Sequence, residues 1–267
     1  MKIVGPLLAV GILSISSHFL LADQMNVLGT ANSFAVLGAT TVTNTGSSVL
    51  NGNVGVSPGT SITGFPPGIV NGTIDSNNGA AIQGEADALS GFNSLNGLVV
   101  TQTLTGQDLG GLTLTPGVYF FASSAQLTGP LILNFEGLNN VSFVFQTGST
   151  LTTASGSSVN SINLGTNDSI YWAIGSSATL GTTTAFEGYL IANQSITMTT
   201  GATIGCGSAI ALNGAVTLDS NVTGNGCSTG DGSGSGTPSA VPEPETLALF
   251  ATGLLGAGMV IRRRFAV

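Results

Sequence analysis

The second half of the chain repeats a short pattern in which large apolar residues alternate with small polar ones. The segment 178–181 (ATLG) recurs as 196–199 (ITMT) and as 216–219 (VTLD), 18 and then 20 residues further on. Repeats of this length hold too few residues for a strand and a helix, but enough for one coil of three short strands joined by tight turns. The pattern predicts an all-β fold, a β-helix or solenoid, with apolar residues pointing inward and threonines pointing outward.

Other parts of the chain have the same character. A second apolar series recurs at steps of 18 residues, at Phe186, Ile204 and Val222. Short apolar runs divided by Gly, Pro and Asn indicate further strands at 117–121, 131–135 and 141–146. The segment 33–74 is similar, with Asn-Gly turns at 51–52 and 71–72. The predicted solenoid therefore extends through most of the chain.

One segment departs from this pattern. Between Ala80 and Leu95, apolar residues fall at helical spacing, with Glu85 and Asp87 off the stripe and Asn96-Gly97 as a stop signal. The stripe consists of Ile82, Ala86, Leu89 and Leu95. This spacing predicts one amphipathic helix over 80–95, packed with that stripe along one side of the solenoid.

Charge narrows the range of functions. From Asp23 to Ala240 there is no Lys, Arg or His, and only 6% of all residues are charged, with a net charge of −8. Those cationic and imidazole groups supply most general bases, phosphate anchors and nitrogen metal ligands. Their absence argues against an enzyme, a metal or cofactor site and a nucleic-acid partner. A glycosidase is the enzymatic alternative, since distant coils could bring two scattered carboxylates together.

Both ends of the chain indicate targeting. Residues 1–22, with Lys2 before an apolar stretch and a small final residue, have the pattern of a secretory signal peptide, the alternative being an uncleaved anchor. Near the other end, a Gly/Ser linker at 228–240 precedes an apolar run at 246–261 and three arginines. The basic residues at both ends mark the cytoplasmic side, so we expect the body to lie outside the cell.

The segment 241–267 resembles the PEP-CTERM sorting signal of Gram-negative bacteria. The Pro-Glu-Pro motif is Pro242, Glu243 and Pro244, followed in order by the apolar run and the basic end. The resemblance implies transient anchoring of a transmembrane helix in the inner membrane, processing by an exosortase, and a final location at the cell surface or in the extracellular medium. A plain C-terminal anchor is the alternative.

The two cysteines fit an exported body. Cys206 and Cys227 are the only ones in the chain, and an oxidising exterior favours a disulfide between them. Two buried free thiols are the alternative.

The body also resembles the microbial ice-binding proteins, over about residues 31–224. The similarity lies in the helix and in a set of short segments: 114–119 (LTPGVY), 170–175 (IYWAIG), 182–188 (TTTAFEG), 200–202 (TGA) and 215–218 (AVTL). It implies a right-handed parallel β-helix of triangular section with one long α-helix alongside, and an N-terminal segment stacked beside the C-terminal coils. It also implies a domain over 23–227 that binds an ice crystal surface through a flat outer face.

Candidate contact residues follow from the repeats and from the family. We expect Thr179, Thr197 and Thr217 to stack as one column, because they share a position in the repeat. Further candidates on nearby strands are Thr183, Ala185, Thr199 and Thr203. The family motif Thr-Ala/Gly-x-Thr/Asn matches at 147–150 and 200–203, which adds Thr147, Thr150 and Thr200 as weaker candidates.

Two functions stay open on the sequence. The first is ice binding that depresses the freezing point or inhibits recrystallisation, through a rigid array of threonine methyl and hydroxyl groups that orders water. The second is a non-catalytic extracellular matrix or adhesion protein without ice activity, with an extracellular polysaccharide as partner. On that second hypothesis the threonine columns are only a surface that favours β structure.

Overall fold

Twenty-four short strands, one α-helix and one 3-10 helix make up residues 27–224, the part of the chain that the computed structural model describes. The signal peptide, Cys227, the linker and the sorting segment all lie outside these residues. The 3-10 helix is Gly29–Ser33 and the α-helix, α1, is Gly79–Asn96. The predicted helix at 80–95 therefore has the right bounds to within one residue.

The strands are given in chain order. Seven precede the helix: β1 (Phe34–Gly38), β2 (Thr41–Thr45), β3 (Val49–Leu50), β4 (Asn53–Val56), β5 (Ser61–Thr63), β6 (Ile69–Val70) and β7 (Ile74–Ser76). The next eight are β8 (Gln102–Thr103), β9 (Thr113–Leu114), β10 (Gly117–Phe121), β11 (Ala125–Leu127), β12 (Pro130–Asn134), β13 (Ser142–Thr147), β14 (Leu151–Thr153) and β15 (Ser158–Ile162). The last nine are β16 (Ser169–Ile174), β17 (Ala178–Leu180), β18 (Ala185–Phe186), β19 (Tyr189–Ala192), β20 (Ile196–Met198), β21 (Thr203–Ile204), β22 (Ala209–Ala211), β23 (Val216–Asp219) and β24 (Val222–Thr223).

The strands form three parallel sheets, which are the three sides of the predicted β-helix. Sheet A has the order β7-β4-β1-β22-β19-β16-β13-β10-β8. Sheet B has the order β11-β14-β17-β20-β23-β2-β5. Sheet C has the order β6-β3-β24-β21-β18-β15-β12-β9. From β1 to β7 and from β10 to β24, successive strands pass from sheet A to B to C, so each set of three is one coil. After the helix, β8 lies in sheet A and β9 in sheet C, with no strand of sheet B between them in the described residues.

The stacking order of the coils differs from their order in the chain. The coil β1-β2-β3 stacks directly on the coil β22-β23-β24, although the two lie at opposite ends of the described residues. Val36 is in register with Ala209 in sheet A, and Val49 is in register with Val222 in sheet C. The prediction that the N-terminal segment stacks beside the C-terminal coils is confirmed.

Stacked aromatic side chains occupy part of the interior of the solenoid, among aliphatic residues. The rings of Phe145 and Trp172 lie 3.8 Å apart and nearly parallel, and the ring of Tyr119 lies 5.4 Å from that of Phe145. Phe186 belongs to the same coil as Trp172 and packs beside it at a tilt, with ring centroids 4.9 Å apart. The rings of Tyr119, Phe145 and Trp172 stack from one coil to the next, so these contacts stabilise the same register as the backbone ladder.

The helix covers the outer side of sheet A, but not with the predicted stripe. Ile82 is 51% exposed and Leu89 is 49% exposed. The face that packs on the sheet consists instead of Ala81, Gly84, Ala88, Gly91 and Leu95. Of the predicted stripe, only Leu95 is buried. This part of the sequence prediction was wrong.

Close approach of the helix to the sheet explains the difference. A Cβ atom at Gly84 would lie 2.8 Å from a ring carbon of Phe34, and one at Gly91 would lie 2.6 Å from the carbonyl oxygen of Val27. Large side chains at these positions would push the helix away, so small residues form the packed face and the larger apolar residues remain outside.

Hydrogen bonds fix the start and the middle of the helix. The Asn78 side chain accepts a hydrogen bond from the backbone N–H of Ala81, which caps the N-terminus. Asp87 accepts hydrogen bonds from both the backbone N–H and the hydroxyl of Thr30, at 2.8 and 2.6 Å. Those bonds hold the pKa of Asp87 below its usual value. The 3-10 helix is thereby attached to α1.

We expect Glu85→Gln to stabilise the protein in a pH-dependent way. Burial raises the pKa of Glu85 from 4.5 to about 8, and its Oε1 atom has no hydrogen-bond partner within residues 27–224. The folded state therefore keeps a proton that the unfolded chain releases, so stability falls as the pH rises from 4.5 to about 8. The variant should be more stable than the parent by roughly 4 kcal/mol at pH 8. Below pH 4.5 the two should be equal.

Thermal unfolding of both proteins across that pH range measures the effect. Asp87→Asn is the matched control on the same helix and should destabilise the protein at neutral pH, because its carboxylate accepts hydrogen bonds from Thr30. A gain from Glu85→Gln that did not change with pH would contradict ionisation as the cause.

Candidate functional site

Two of the three sheets present an outer side that α1 does not cover. Every residue of β1, β13 and β19 in sheet A is buried, because the core lies on one side and the helix on the other. The strands of sheet B instead alternate between buried and accessible residues, as in β14 and β20. A flat binding surface must therefore lie on sheet B or sheet C.

A single column of outward threonines runs along sheet B. Gln126 at one end is followed on successive strands by Thr152, Thr179, Thr197, Thr217, Thr43 and Thr63. Stacked strands are about 4.8 Å apart, so the six threonines repeat at that interval over roughly 24 Å. The χ1 angle of a β-branched residue in a strand is restricted, which makes the array rigid. This series of six residues is called the threonine column below.

A second column, here called the small-residue column, lies beside the threonine column, two residues earlier in the chain on each coil, at or just before the start of the strand. It consists of Ser124, Thr150, Ser177, Ser195, Ala215, Thr41 and Ser61. Some of their hydroxyls form hydrogen bonds along the column, such as that from Thr150 to Ser124 at 2.9 Å. No side chain in this column is larger than threonine, so the surface beside the threonine column stays level.

Buried polar side chains hold the corner between sheets B and C. The hydroxyls of Thr153 and Thr184 are 2.8 Å apart, and the hydroxyl of Ser48 donates to Asn44. The Asn221 side chain donates to the carbonyl oxygens of Thr199 and Ala202, both at 2.9 Å. Since these side chains tie the turns of adjacent coils together, they keep the edge of sheet B straight.

Sheet C is less regular. Its outward column reads Pro130, Ser158, Ala185, Thr203, Val222, Val49 and Ile69. Val222 is 44% exposed and Ile69 is 55% exposed, so this column changes from a mixture of small side chains to larger apolar ones. No two neighbouring strands in this column carry threonine. Of the two uncovered sides, sheet B alone presents a repeated chemical group.

The residues predicted from the repeat occupy two sheets. Thr179, Thr197 and Thr217 lie in consecutive register in the threonine column. Ala185 and Thr203 pair with each other on sheet C, which faces another direction. They were expected near the column, but the turn between β17 and β18 carries the chain onto the next side.

The other predicted residues lie at the corners or inside. Thr183 is exposed in the turn before β18 with a φ of 56°, and Thr199 directly follows β20 beside the threonine column. Thr200 is at the same corner and Thr150 is in the small-residue column. Thr147 contradicts the motif match, because it is only 3% exposed, in β13 beneath the helix. The motif takes no account of which sheet a strand belongs to.

Sequence reasoning missed half of the threonine column. Thr152, Thr43 and Thr63 were not candidates, although Thr43 lies in an alternating run at 41–45 (TVTNT). That alternation indicates an outward threonine, but its neighbour in space depends on the pairing of β2 with β23. A repeat search along the chain does not find that pairing.

The face is almost without charge. Within the described strands of sheet B, Asp219 is the only charged residue. Within residues 27–224, no group of three or more His, Cys, Asp or Glu residues could hold a metal ion. Cys206 is disulfide-bonded, and its predicted partner Cys227 lies outside the described residues.

Comparison with solved structures identifies the class of fold. An ice-binding protein from an Antarctic biological consortium matches at 46% identity and a TM-score of 0.70, over 73% of this chain and 88% of the other. An ice-binding protein from the Antarctic ascomycete Antarctomyces psychrotrophicus matches at 42% identity and a TM-score of 0.69, over 73% and 95% of the two chains. The fold is the parallel β-helix of these ice-binding proteins, with one helix alongside, as predicted.

Comparison of sequences identifies the family. The ice-binding-like family model matches residues 36–223, and the chain belongs to this family. An ice-binding protein of Nostoc sp. (strain HG1) is 50% identical over 245 residues, which cover 91% of this chain and 89% of that protein. The PEP-CTERM protein-sorting motif matches residues 240–264, so the chain also carries an export and sorting signal.

We expect Asn221→Ala to destabilise the corner beside the face. Asn221 is fully buried and its side chain makes three hydrogen bonds, donating to two carbonyl oxygens and accepting from the N–H of Asp219. Removing the amide leaves these backbone groups buried without partners, at a cost of about 3 kcal/mol. Urea unfolding measures this change. Asn213→Ala is the control, since Asn213 is exposed and its change should cost little; equal losses for both variants would contradict the role given to Asn221.

Proposed function

We propose that this chain is an exported, non-catalytic protein that binds ice through the outer side of sheet B. The threonine column carries the proposal: six threonines on adjacent strands form an uncharged, flat and regularly spaced array. The related proteins from Nostoc and the Antarctic sources are described as ice-binding proteins, which supports the same activity here.

The chemistry of the column suits an ordered layer of water. Each threonine presents one methyl and one hydroxyl group, so the hydroxyls anchor water while the methyls limit its other hydrogen bonds. The threonine hydroxyls repeat at about 4.8 Å from strand to strand, and successive outward residues along one strand lie about 6.6 Å apart. A lattice of water held at these fixed positions can merge with a crystal. Adsorption of the protein then depresses the freezing point or inhibits recrystallisation.

The ends of the chain suit a surface or extracellular location. In this proposal residues 1–22 are a signal peptide, 23–227 the ice-binding domain, 228–240 a linker and 241–267 the segment processed by an exosortase. The transmembrane helix predicted at 246–261 lies outside the described residues. Between residues 27 and 224, no helix is long and apolar enough to cross a membrane.

The test of the face is a bulky substitution at its centre. Thr197→Tyr places a ring in the middle of the threonine column, so contact with a flat crystal should weaken and freezing hysteresis should fall several-fold. Because Thr197 points outward, the melting temperature should stay nearly unchanged. Ala185→Tyr is the matched control, since it places the same ring at an exposed position on sheet C and should leave activity intact.

The two variants also separate the alternatives. Loss of activity in Ala185→Tyr with retention in Thr197→Tyr would move the binding face to sheet C. An unmodified protein with neither freezing hysteresis nor recrystallisation inhibition would favour the matrix or adhesion function, with polysaccharide as the partner to test next.

A further prediction concerns the exported form. We expect its mass to correspond to a chain without residues 1–22 and without the C-terminal apolar run, and with Cys206 joined to Cys227. Mass spectrometry of the exported protein, with and without reduction and alkylation, measures both features. Two alkylated cysteines without reduction would contradict the disulfide, and an intact C-terminal segment in a host with an exosortase would contradict the processing.

A further inference from the structure

One carboxylate stands at the edge of the proposed ice-binding face. Asp219 is the last residue of β23, and strand alternation places it on the same side as Thr217. It is in register with Thr45 of the next coil, so it belongs to the outward column on the other side of the threonine column. An ionised carboxylate is strongly hydrated, and the water around it follows the charge instead of a crystal lattice. The direction in which the Asp219 side chain points therefore decides whether its charge disturbs the water over the face.

Two hydroxyls hold this carboxylate. Thr200 Oγ1 donates to Asp219 Oδ2 at 2.5 Å, and Ser220 Oγ donates to Asp219 Oδ1 at 3.2 Å. Thr200 lies in the turn between β20 and β21, at the corner between sheets B and C. The carboxylate is therefore turned along the edge toward this corner, away from the threonine column.

The backbone fixes the distance between the two turns that meet here. The N–H of Gly201 donates to the carbonyl oxygen of Asp219 at 3.1 Å. The buried Asn221 side chain donates to the Thr199 carbonyl oxygen and accepts from the Asp219 N–H at 2.6 Å. Hydrogen bonds at Thr199 and at Gly201, the residues on either side of Thr200, therefore hold Thr200 opposite Asp219. Its hydroxyl is already in place to donate to the carboxylate.

The coil on the other side of Asp219 leaves room for this arrangement. Gly46 has a φ of 80°, and a Cβ atom there would lie 2.3 Å from the Ser220 hydroxyl oxygen and 3.4 Å from Asp219 Oδ1. Glycine at this position lets Ser220 and Asp219 occupy the corner. Of the two neighbouring coils, only the one with Thr200 supplies a side-chain hydroxyl to this carboxylate within the described hydrogen bonds.

We propose that Thr200 is a positioning residue for the ice-binding face, whose hydroxyl holds the Asp219 carboxylate at the corner and keeps its charge away from the threonine column. This inference rests on the proposed function of sheet B. Thr200 itself needs no contact with ice. Its role is to keep the face uncharged where the crystal would lie.

The test removes only the hydroxyl. Thr200→Val keeps the size and branching of the side chain, and should lower freezing hysteresis and recrystallisation inhibition several-fold by releasing the carboxylate. Thr200→Ser keeps the donor and should retain the parent activity. Adding Asp219→Asn to Thr200→Val removes the charge and should restore the activity.

A matched control lies one coil away. Thr182 is exposed at the same corner and its hydroxyl is 3.4 Å from that of Thr199; none of the described hydrogen bonds joins it to a carboxylate. Thr182→Val should therefore keep full activity. Melting curves of all variants check that differences in activity do not come from unfolding.

Each result bears on the proposal. Parent activity in Thr200→Val, or no recovery in the double variant, would overturn the role of Thr200 while leaving the face itself intact. If Thr197→Tyr and the parent are both inactive toward ice, the proposed function fails and this inference fails with it. If Thr200→Val loses activity and the double variant recovers it, the loss is due to the charge of Asp219 and not to a change in the shape of the turn.

Discussion

The in-register stacking of parallel coils is the constraint on which the core, the corners and the candidate face all depend. In a parallel ladder, each residue has a neighbour of the same orientation on the next strand, about 4.8 Å away. The pairing of β2 with β23 is decisive, because it places Thr43 next to Thr217. Without that pairing the column would end at Thr217, and the two N-terminal threonines would belong to a separate patch. The stacking of the first coil on the last therefore makes one long face out of two short ones.

The helix determines which side of the solenoid is left for a function. Because α1 presents glycine and alanine to sheet A, the two approach closely and both sides of that sheet are buried. A residue on sheet A, such as Thr147, is then part of the packing under the helix regardless of its motif. Sheets B and C remain accessible, and only sheet B repeats one residue type from strand to strand. Because sheet A is buried and sheet C is irregular, sheet B is the side left for a binding surface.

The sequence allowed the solenoid, the position of the helix and three members of the column to be predicted. Each of these depends on residues that are near one another along the chain, such as the steps of 18 and 20 residues between equivalent threonines. The predictions that failed depend on tertiary contacts. The stripe with Ile82 and Leu89 was chosen by hydrophobicity, whereas close packing against Phe34 requires small residues. Thr43 and Thr63 were missed because their neighbours are set by pairing between the two ends of the domain.

Residues 23–240 contain no Lys, Arg or His, so the carboxylates there have no cationic side chain of that segment to pair with. Hydroxyl groups donate hydrogen bonds to several of them instead. The hydroxyl-to-carboxylate hydrogen bonds join Thr30 to Asp87, Thr73 to Asp75, Thr128 to Asp108, Ser161 to Glu187 and Thr200 to Asp219. A hydroxyl does not neutralise the charge, and burial still raises the pKa of Glu187 although Ser161 donates to it.

This way of holding carboxylates has a consequence for the surface. Lysine or arginine would neutralise a carboxylate, but each would bring a long, charged and strongly hydrated side chain to the surface. At Asp108, Glu187 and Asp219, a serine or threonine of the neighbouring coil holds the carboxylate with a short side chain. The same kind of side chain that forms the threonine column thus also holds the carboxylates at the corners. For a surface proposed to order water, the use of serine and threonine keeps the face flat and adds no charged side chains to it.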